Sequence, residues 1–199
     1  MSLNAIIESL IFAADSPLSL DRICDLLPEY EREAVKAALD ELGRFHEERG
    51  GGFYLAEVAG GRQFRTRPDL QQYVMRLAKA RTSKFSPSAL ETLAIVAYRQ
   101  PVTRVEIEYL RGVDCGGVLK TLLEKKLVRI MGKKDIPGRP LIYGTSREFL
   151  EIFGLKDLKA LPTLKEIQAL DEAPHFERQE ELPLGQDGVK VEVELNLNL

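Results

Sequence analysis

Residues 101–145 read PVTRVEIEYLRGVDCGGVLKTLLEKKLVRIMGKKDIPGRPLIYGT, and the fold is decided by this stretch. Thr103 and Glu106 stand at capping-box spacing, so a helix starts there, and Gly112 closes it. A second helix follows, with Val118, Leu119, Leu122 and Leu123 on one face. The period then changes. Val128–Met131 and Leu141–Tyr143 are short extended runs on either side of the loop 132–140. Upstream, Ser86 caps another helix with Pro87 at its first position, where a missing N–H does no harm. Its apolar residues are Ala89, Leu90, Leu93, Ala94, Val96 and Ala97. Thr145 and Glu148 are spaced to cap a last helix carrying Phe149, Leu150 and Phe153. Three helices followed by a hairpin make a winged helix.

The first half has the same order. Leu3, Ile6, Ile7, Leu10, Ile11 and Ala14 recur at helical period until Asp15-Ser16-Pro17. Ser19 caps a short helix with Ile23, Leu26 and Leu27, which Pro28 ends. A longer helix, from about Tyr30 to Arg49, is expected to bury Val35, Ala38, Leu39, Leu42 and Phe45 before Gly50-Gly51-Gly52. Phe53–Val58 and Gln63–Arg67 form a hairpin joined by Gly60-Gly61, and Pro68 opens a helix with Leu70, Tyr73, Val74 and Leu77.

Pro101-Val102-Thr103 copies Pro17-Leu18-Ser19 at an offset of 84, and the same offset pairs Ile11 with Ile95, Ala13 with Ala97, Ile23 with Ile107, and Leu26 with Leu110. An internal duplication at this period outweighs any single helix assignment. The expected fold is mainly α with small β-hairpin wings (α+β). It places two tandem winged-helix domains at 1–80 and 86–162, with a basic joint at Ala80–Phe85 and an acidic, largely flexible tail at 163–199.

The chain has 199 residues, 44% hydrophobic and 30% charged, which is too long for a disulfide mini-protein and too apolar for wholesale disorder. Its net charge of −3 does not favour nucleic acid. Residues 164–199 hold 9 acids against 3 bases, a net of −6, leaving +3 for the remainder. Within that tail Thr163 and Glu166 are spaced to cap a short helix, and Pro174 to Gly188 reads as disordered. From Val189 to Leu199 apolar and polar residues alternate perfectly. Two readings stay open there: a strand with one apolar face, or an untethered end. Cys24 and Cys115 lie far apart, no basic signal region precedes them, and no run nears the roughly 20 apolar residues of a membrane span. A reduced, cytoplasmic setting with no membrane contact is expected.

No enzyme constellation stands out, and neither a metal nor a cofactor is expected. His46 is expected on the polar side of its helix and His175 lies in the tail, neither with a metal-ligand neighbour at the right spacing. Cys24 sits on a core stripe, which leaves a Cys24–His46 catalytic pair little standing. Gly112 and Gly117 have phosphate-loop spacing, but Val118-Leu119 replace the required Lys and Ser/Thr. The three glycines Gly112, Gly116 and Gly117 read better as a tight turn between helices.

Sequence-specific DNA reading needs Arg, Lys, Asn or Gln toward base edges. The third helix instead shows Glu31, Glu33, Asp40, Glu41, Glu47 and Glu48. Its counterpart opens with Asp114-Cys115-Gly116-Gly117. Lys120, Lys125, Lys126, Arg129, Lys133, Lys134 and Arg139 form either a weak, non-specific phosphate contact or a solvated basic face. Protein recognition is the remaining use, with apolar grooves between helices and wing suited to a partner helix.

The second half contains LETLAIVAYRQPVTRVEIEYLRGVD at 90–114 and GKKDIPGRPLIYGTSREFLEIFGLKDLKALP at 132–162. Both closely resemble the bacterial segregation and condensation protein B (ScpB) family. ESLIFAADSPLS at 8–19 and FRTRPDL at 64–70 are the best matches in the first half, so the resemblance covers about residues 3–162. The alternating 189–199 segment matches no family pattern. The resemblance implies a non-enzymatic subunit of the SMC–kleisin complex. Such a protein forms a homodimer mainly through its N-terminal winged helix, and it binds the kleisin ScpA, which bridges the SMC ATPase heads. It acts in chromosome condensation and segregation during cell division, in association with the nucleoid.

On that footing the kleisin-facing residues are expected at the helix exit Tyr98, Arg99, Gln100 and Pro101, and in the wing at Gly138, Arg139, Pro140 and Tyr143. The competing reading is that Gly138 and Pro140 only shape the turn while Arg139 braces a carboxylate. Ile7, Leu10 and Ile11 are the dimerisation candidates, and they serve equally as core. The rival function is a winged-helix transcription regulator.

Overall fold

The structure is a computed structural model and describes residues 2–78, 85–163 and 166. In chain order it has α1 (Leu3–Ala13), α2 (Leu20–Leu26), α3 (Arg32–Arg49), β1 (Phe53–Val58), β2 (Gly61–Thr66) and α4 (Gln71–Ala78). Then come α5 (Pro87–Arg99), β3 (Val102–Thr103), α6 (Arg104–Arg111), α7 (Gly116–Glu124), β4 (Val128–Lys133), β5 (Leu141–Thr145) and α8 (Arg147–Phe153). Three helices and a hairpin occur twice, which is the expected α+β winged-helix architecture. The first copy's core is built from Ile7, Ile11, Ile23, Val35, Leu39, Leu42 and their neighbours. The second is built from Leu93, Val96, Ile107, Leu119, Leu122, Phe149 and theirs. A boundary between compact units falls after Leu161.

The helix ends follow their local chemistry. The side chains of Ser2, Ser19 and Ser86 accept from the amides of Ala5, Arg22 and Ala89, which satisfies one orphan donor at the start of each helix. Gly50 and Gly112 close α3 and α6 in the left-handed conformation at φ 62° and 71°. The Pro-x-Ser/Thr motif does the same work in both halves. It carries the cap of the second helix and also pairs with the wing's return strand. In the first half Leu18 exchanges backbone hydrogen bonds with Arg62 at 3.0 and 2.8 Å. In the second, Val102 and Thr103 pair with Tyr143 and Ile142, giving the strand order β3-β5-β4.

Several details differ from the sequence reading. The α3 stripe runs Val35, Ala38, Leu39, Leu42 and His46, whereas Phe45 is 54% exposed. At 3.6 residues per turn, position 46 returns to the face of Val35 after about three turns and position 45 does not. His46 is therefore a core residue, not a polar-face one. Leu26, Leu90, Ala94 and Phe153, apolar residues of their helices, are also exposed. In the first hairpin the turn residues are Ala59 and Gly60, both at positive φ (50° and 70°), and Gly61 already pairs with Val58. That is the mirror-image turn a two-residue hairpin needs.

The second wing's strands are longer than expected, with an irregularity between Ile130 and Gly132. Ser146, not Thr145, caps α8 by accepting from the Phe149 amide at 3.1 Å. Thr145 is held on β5 opposite Val128. Helix α4 forms as expected, but Tyr73, Val74 and Leu77 stand exposed, because the first core is already closed by α1, α2, α3, Leu55 and Phe64.

The offset of 84 holds for the second helix of each half. Ile23 and Ile107 are both fully buried, and Leu26 and Leu110 are both exposed. It fails in the first helix, where Ala13 is exposed and Ala97 buried. Burial there matches Ile7 with Leu93 and Ile11 with Ala97, a shift of two. The first copy thus carries two more residues between the end of its first helix and the proline.

Of the acidic tail, the Thr163–Glu166 pair is described, with the Thr163 amide donating to Glu166 at 2.6 Å. Most of the Ala80–Phe85 joint and the Val189–Leu199 segment lie outside the described residues.

Candidate partner-binding surface

Helix α5 ends at Arg99, and its exit is tied to the second wing by a side-chain amide. Gln100 Nε2 donates to the carbonyl of Ala97 at 3.1 Å and to Thr145 Oγ1 at 3.0 Å. Its Oε1 accepts from the Thr145 amide at 2.8 Å. A Cβ on Gly144 would come within 2.8 Å of that same oxygen, so a glycine there lets the helix exit lie against β5. Pro101 follows, exposed, through a cis peptide bond. Tyr143 is buried in the second core. Gln100 and Tyr143 therefore serve the interior, and the residues they leave outward are Tyr98, Arg99 and Pro101.

The wing tip turns through Gly138 at φ 85° and Arg139 at φ 40°, with the Arg139 amide donating to Ile136 O at 2.8 Å and the Lys134 amide to Pro140 O at 2.8 Å. A positive φ at arginine is uncommon, and the residue is exposed at the tip. Among the described residues no carboxylate pairs with Arg139, so the brace of the competing reading is not seen there. The brace belongs to Lys134 instead. Its ammonium lies 2.6 Å from Glu106, whose carboxylate also accepts from the Thr103 amide at 2.7 Å and hydroxyl at 2.8 Å. Lys134, then the Thr103 amide and hydroxyl, hold the Glu106 carboxyl down at about 2. The spacing Thr103–Glu106 revealed the cap, but nothing local signals a lysine 28 residues on.

The α6–α7 turn is a second fixed point. Arg104 bonds Glu108 at 2.6 Å and pairs with Asp114, and a Cβ on Gly116 would meet its guanidinium at 2.8 Å. Gly116 and Gly117 thus open α7 rather than form the turn itself. Burial pushes the Cys115 thiol up, as expected of a core cysteine rather than a nucleophile.

In the first half, Ile7 and Ile11 are buried in the core and Leu10 packs against it. The outward side of α1 carries Ala5, Ser9 and Phe12, and Phe12 is 80% exposed. The sequence reading missed Phe12 because it lies off the stripe that marks the helix. His46 Nε2 lies 2.9 Å from Glu8 Oε1 among the rings of Phe45, Phe53 and Phe64, so a polar bond ties α3 to α1. The carboxylates of α3 are all exposed. Among the described residues no cluster of His, Cys, Asp and Glu forms a metal site, and no helix is long and apolar enough to cross a membrane.

A family model described as Segregation and condensation complex subunit ScpB matches residues 5–164. Segregation and condensation protein B of Syntrophotalea carbinolica is 55% identical over 170 residues, which are 85% of this chain and 86% of that protein. The Moorella thermoacetica protein of the same name is 47% identical over 173 residues, 86% and 87% of the two chains. The crystal structure of ScpB from Mycobacterium tuberculosis is 32% identical, covers 77% of this chain and 95% of that one, and has a TM-score of 0.36. A dimer of the ScpB N-terminal domain complexed with ScpA peptide is 32% identical over 37% of this chain and 91% of that one, at a TM-score of 0.35.

Proposed function

Because the chain belongs to the family of segregation and condensation complex subunit ScpB, we propose that it works as a non-catalytic adaptor of the SMC–kleisin complex. It forms a homodimer, binds the kleisin ScpA and, through ScpA, joins SMC. In this role it acts in chromosome condensation and segregation during cell division, in the cytoplasm at the nucleoid. The N-terminal winged helix (1–80) pairs the two copies and the C-terminal one (86–162) faces the kleisin.

The observation that carries this reading is the division of labour at the second wing. Gln100, Tyr143 and Lys134 are consumed by the fold, while Arg99 and Arg139 stand outward without a carboxylate among the described residues. With Tyr98, Pro101, Gly138 and Pro140 they form the kleisin-facing surface, where a guanidinium contributes bidentate recognition of a partner's carboxylate. For the dimer, Ile7 and Ile11 support α1 from beneath, and Phe12 with the edge of Leu10 makes the contact.

The experiment is co-purification with ScpA followed by mass measurement of the intact assembly. A dimer carrying ScpA is expected for the natural chain. An Arg99→Glu, Arg139→Glu double variant should stay dimeric and lose ScpA by at least about tenfold in affinity. Retained affinity would move the kleisin surface elsewhere. The exposed cations of the second half favour one rival, a DNA-binding regulator. A tight, sequence-selective duplex with a steep salt slope would replace the adaptor reading.

A further inference from the structure

We propose that the second winged helix carries a docking groove for an acidic, amphipathic protein segment, separate from the wing tip and helix exit. The groove is open, about 600 Å³, and runs between the end of α7, strand β4, helix α8 and the turn at Leu158–Ala160. Its floor is apolar and continuous with the interior. Val128 is buried, Leu123 and Leu150 are half-buried against the same core, and Leu158 reaches the surface. An apolar side chain laid here extends an existing core and is removed from water.

Charge fixes the kind of occupant. Lys126, Arg129 and Arg147 line the groove against one acid, Glu148. That is a local excess of positive charge in a chain of net −3. The two guanidinium groups and the backbone of Lys126 are held in place by the fold. Arg129 Nε donates to Thr145 O at 3.1 Å, which leaves the two terminal amino groups of its fork for a ligand carboxylate. Arg147 is braced by Pro17 O at 2.6 Å and Glu151 at 3.4 Å. Lys126 sits at φ 57°, with its carbonyl accepting the Ser146 hydroxyl. Among the described residues neither Lys126 nor Arg129 has a carboxylate partner.

A partner of acidic residues on one side and leucine-like residues on the other satisfies both features. Duplex DNA satisfies one only, because its phosphates gain nothing from the leucine floor. None of Tyr98, Arg99, Gly138 and Arg139 lines this groove, so the inference stands apart from the kleisin surface proposed above.

The test uses the full chain and a fluorescent amphipathic helical peptide of Leu and Glu, with a Leu and Lys peptide of the same pattern as control, read by anisotropy. Saturable binding of the acidic peptide is expected, with slowed amide exchange in β4 and α8. Lys126→Glu and Arg129→Glu should each weaken it about tenfold. Leu158→Asp should weaken it similarly, while the Arg99→Glu, Arg139→Glu variant binds as the natural chain does. Four results would overturn the proposal: acidic-peptide affinity indifferent to both charge reversals, equal affinity for the basic peptide, a short duplex displacing the peptide at lower concentration, or self-association that Leu158→Asp abolishes.

Discussion

At the scale of single residues, Glu106 shows how much one carboxylate can organise. It caps α6 through Thr103 and anchors the wing through Lys134, contacts that hold it at about 2 instead of its ordinary 4.5. A carboxyl depressed in the folded state stabilises the protein above its unfolded value, and that stability is lost as pH falls through the folded one. The side chain is nearly half exposed, so solvent screening limits the effect to the size of a single cap, about 1 kcal/mol. Glu106→Gln is therefore expected to unfold at lower urea than the natural chain at pH 7. The gap should narrow from about pH 4.5 and close near pH 2. A gap independent of pH would assign the loss to shape rather than charge. The cap itself was legible from a four-residue spacing. Lys134 and the Gln100–Thr145 bond were not, because their partners meet only once the sheet has formed.

At the scale of elements, periodicity and caps located each α-helix and both hairpins among the described residues, and periodicity failed where two neighbours competed for one face. Phe45 is the more hydrophobic neighbour, yet the 3.6 rhythm counted from Val35 selects His46, whose polar edge is met by Glu8 from a helix 38 residues away. Helix α4 was legible as a helix, but its place was not, since amphipathicity says that a face seeks cover and not what covers it. The offset of 84 was legible in the Pro-x-Ser/Thr motif and misleading in the first helix, where two residues are inserted upstream of the proline. That motif also explains Gly61. A Cβ there would fall 2.8 Å from the carbonyl carbon and oxygen of Leu18, both backbone atoms that cannot swing aside. Gly61→Ala should lower stability by about 1–3 kcal/mol and open the Leu18–Arg62 bridge, read as faster amide exchange at both residues. Unchanged exchange would mean that the strand edge yields more freely than its hydrogen bonds imply.

At the scale of the molecule, the two halves do not simply share a chain. The turn of the first wing gives its Ala59 and Gly60 amides to the carbonyls of Leu155 and Lys156 at 2.9 and 3.0 Å, just beyond α8. Arg65 reaches the carbonyl of Glu151, Arg147 the carbonyl of Pro17 at 2.6 Å, and Lys156 lies 3.0 Å from Glu57. This contact is made of hydrogen bonds and one ion pair, and each bond contributes about 1 kcal/mol net. Such a clasp holds the halves at a set angle and yields before either hydrophobic core does. It also occupies the backbone amides of the first wing's turn. Arg65→Ala combined with Arg147→Ala removes two of its bonds. Amide exchange at Ala59 and Gly60 should then quicken by about tenfold or more, while Ile23 and Ile107, buried in their separate cores, keep their protection. If exchange quickens equally at Ile23 and Ile107, the halves share one cooperative unit and the clasp is part of the global fold. If nothing quickens, the backbone pair at the turn holds the angle without the two arginines.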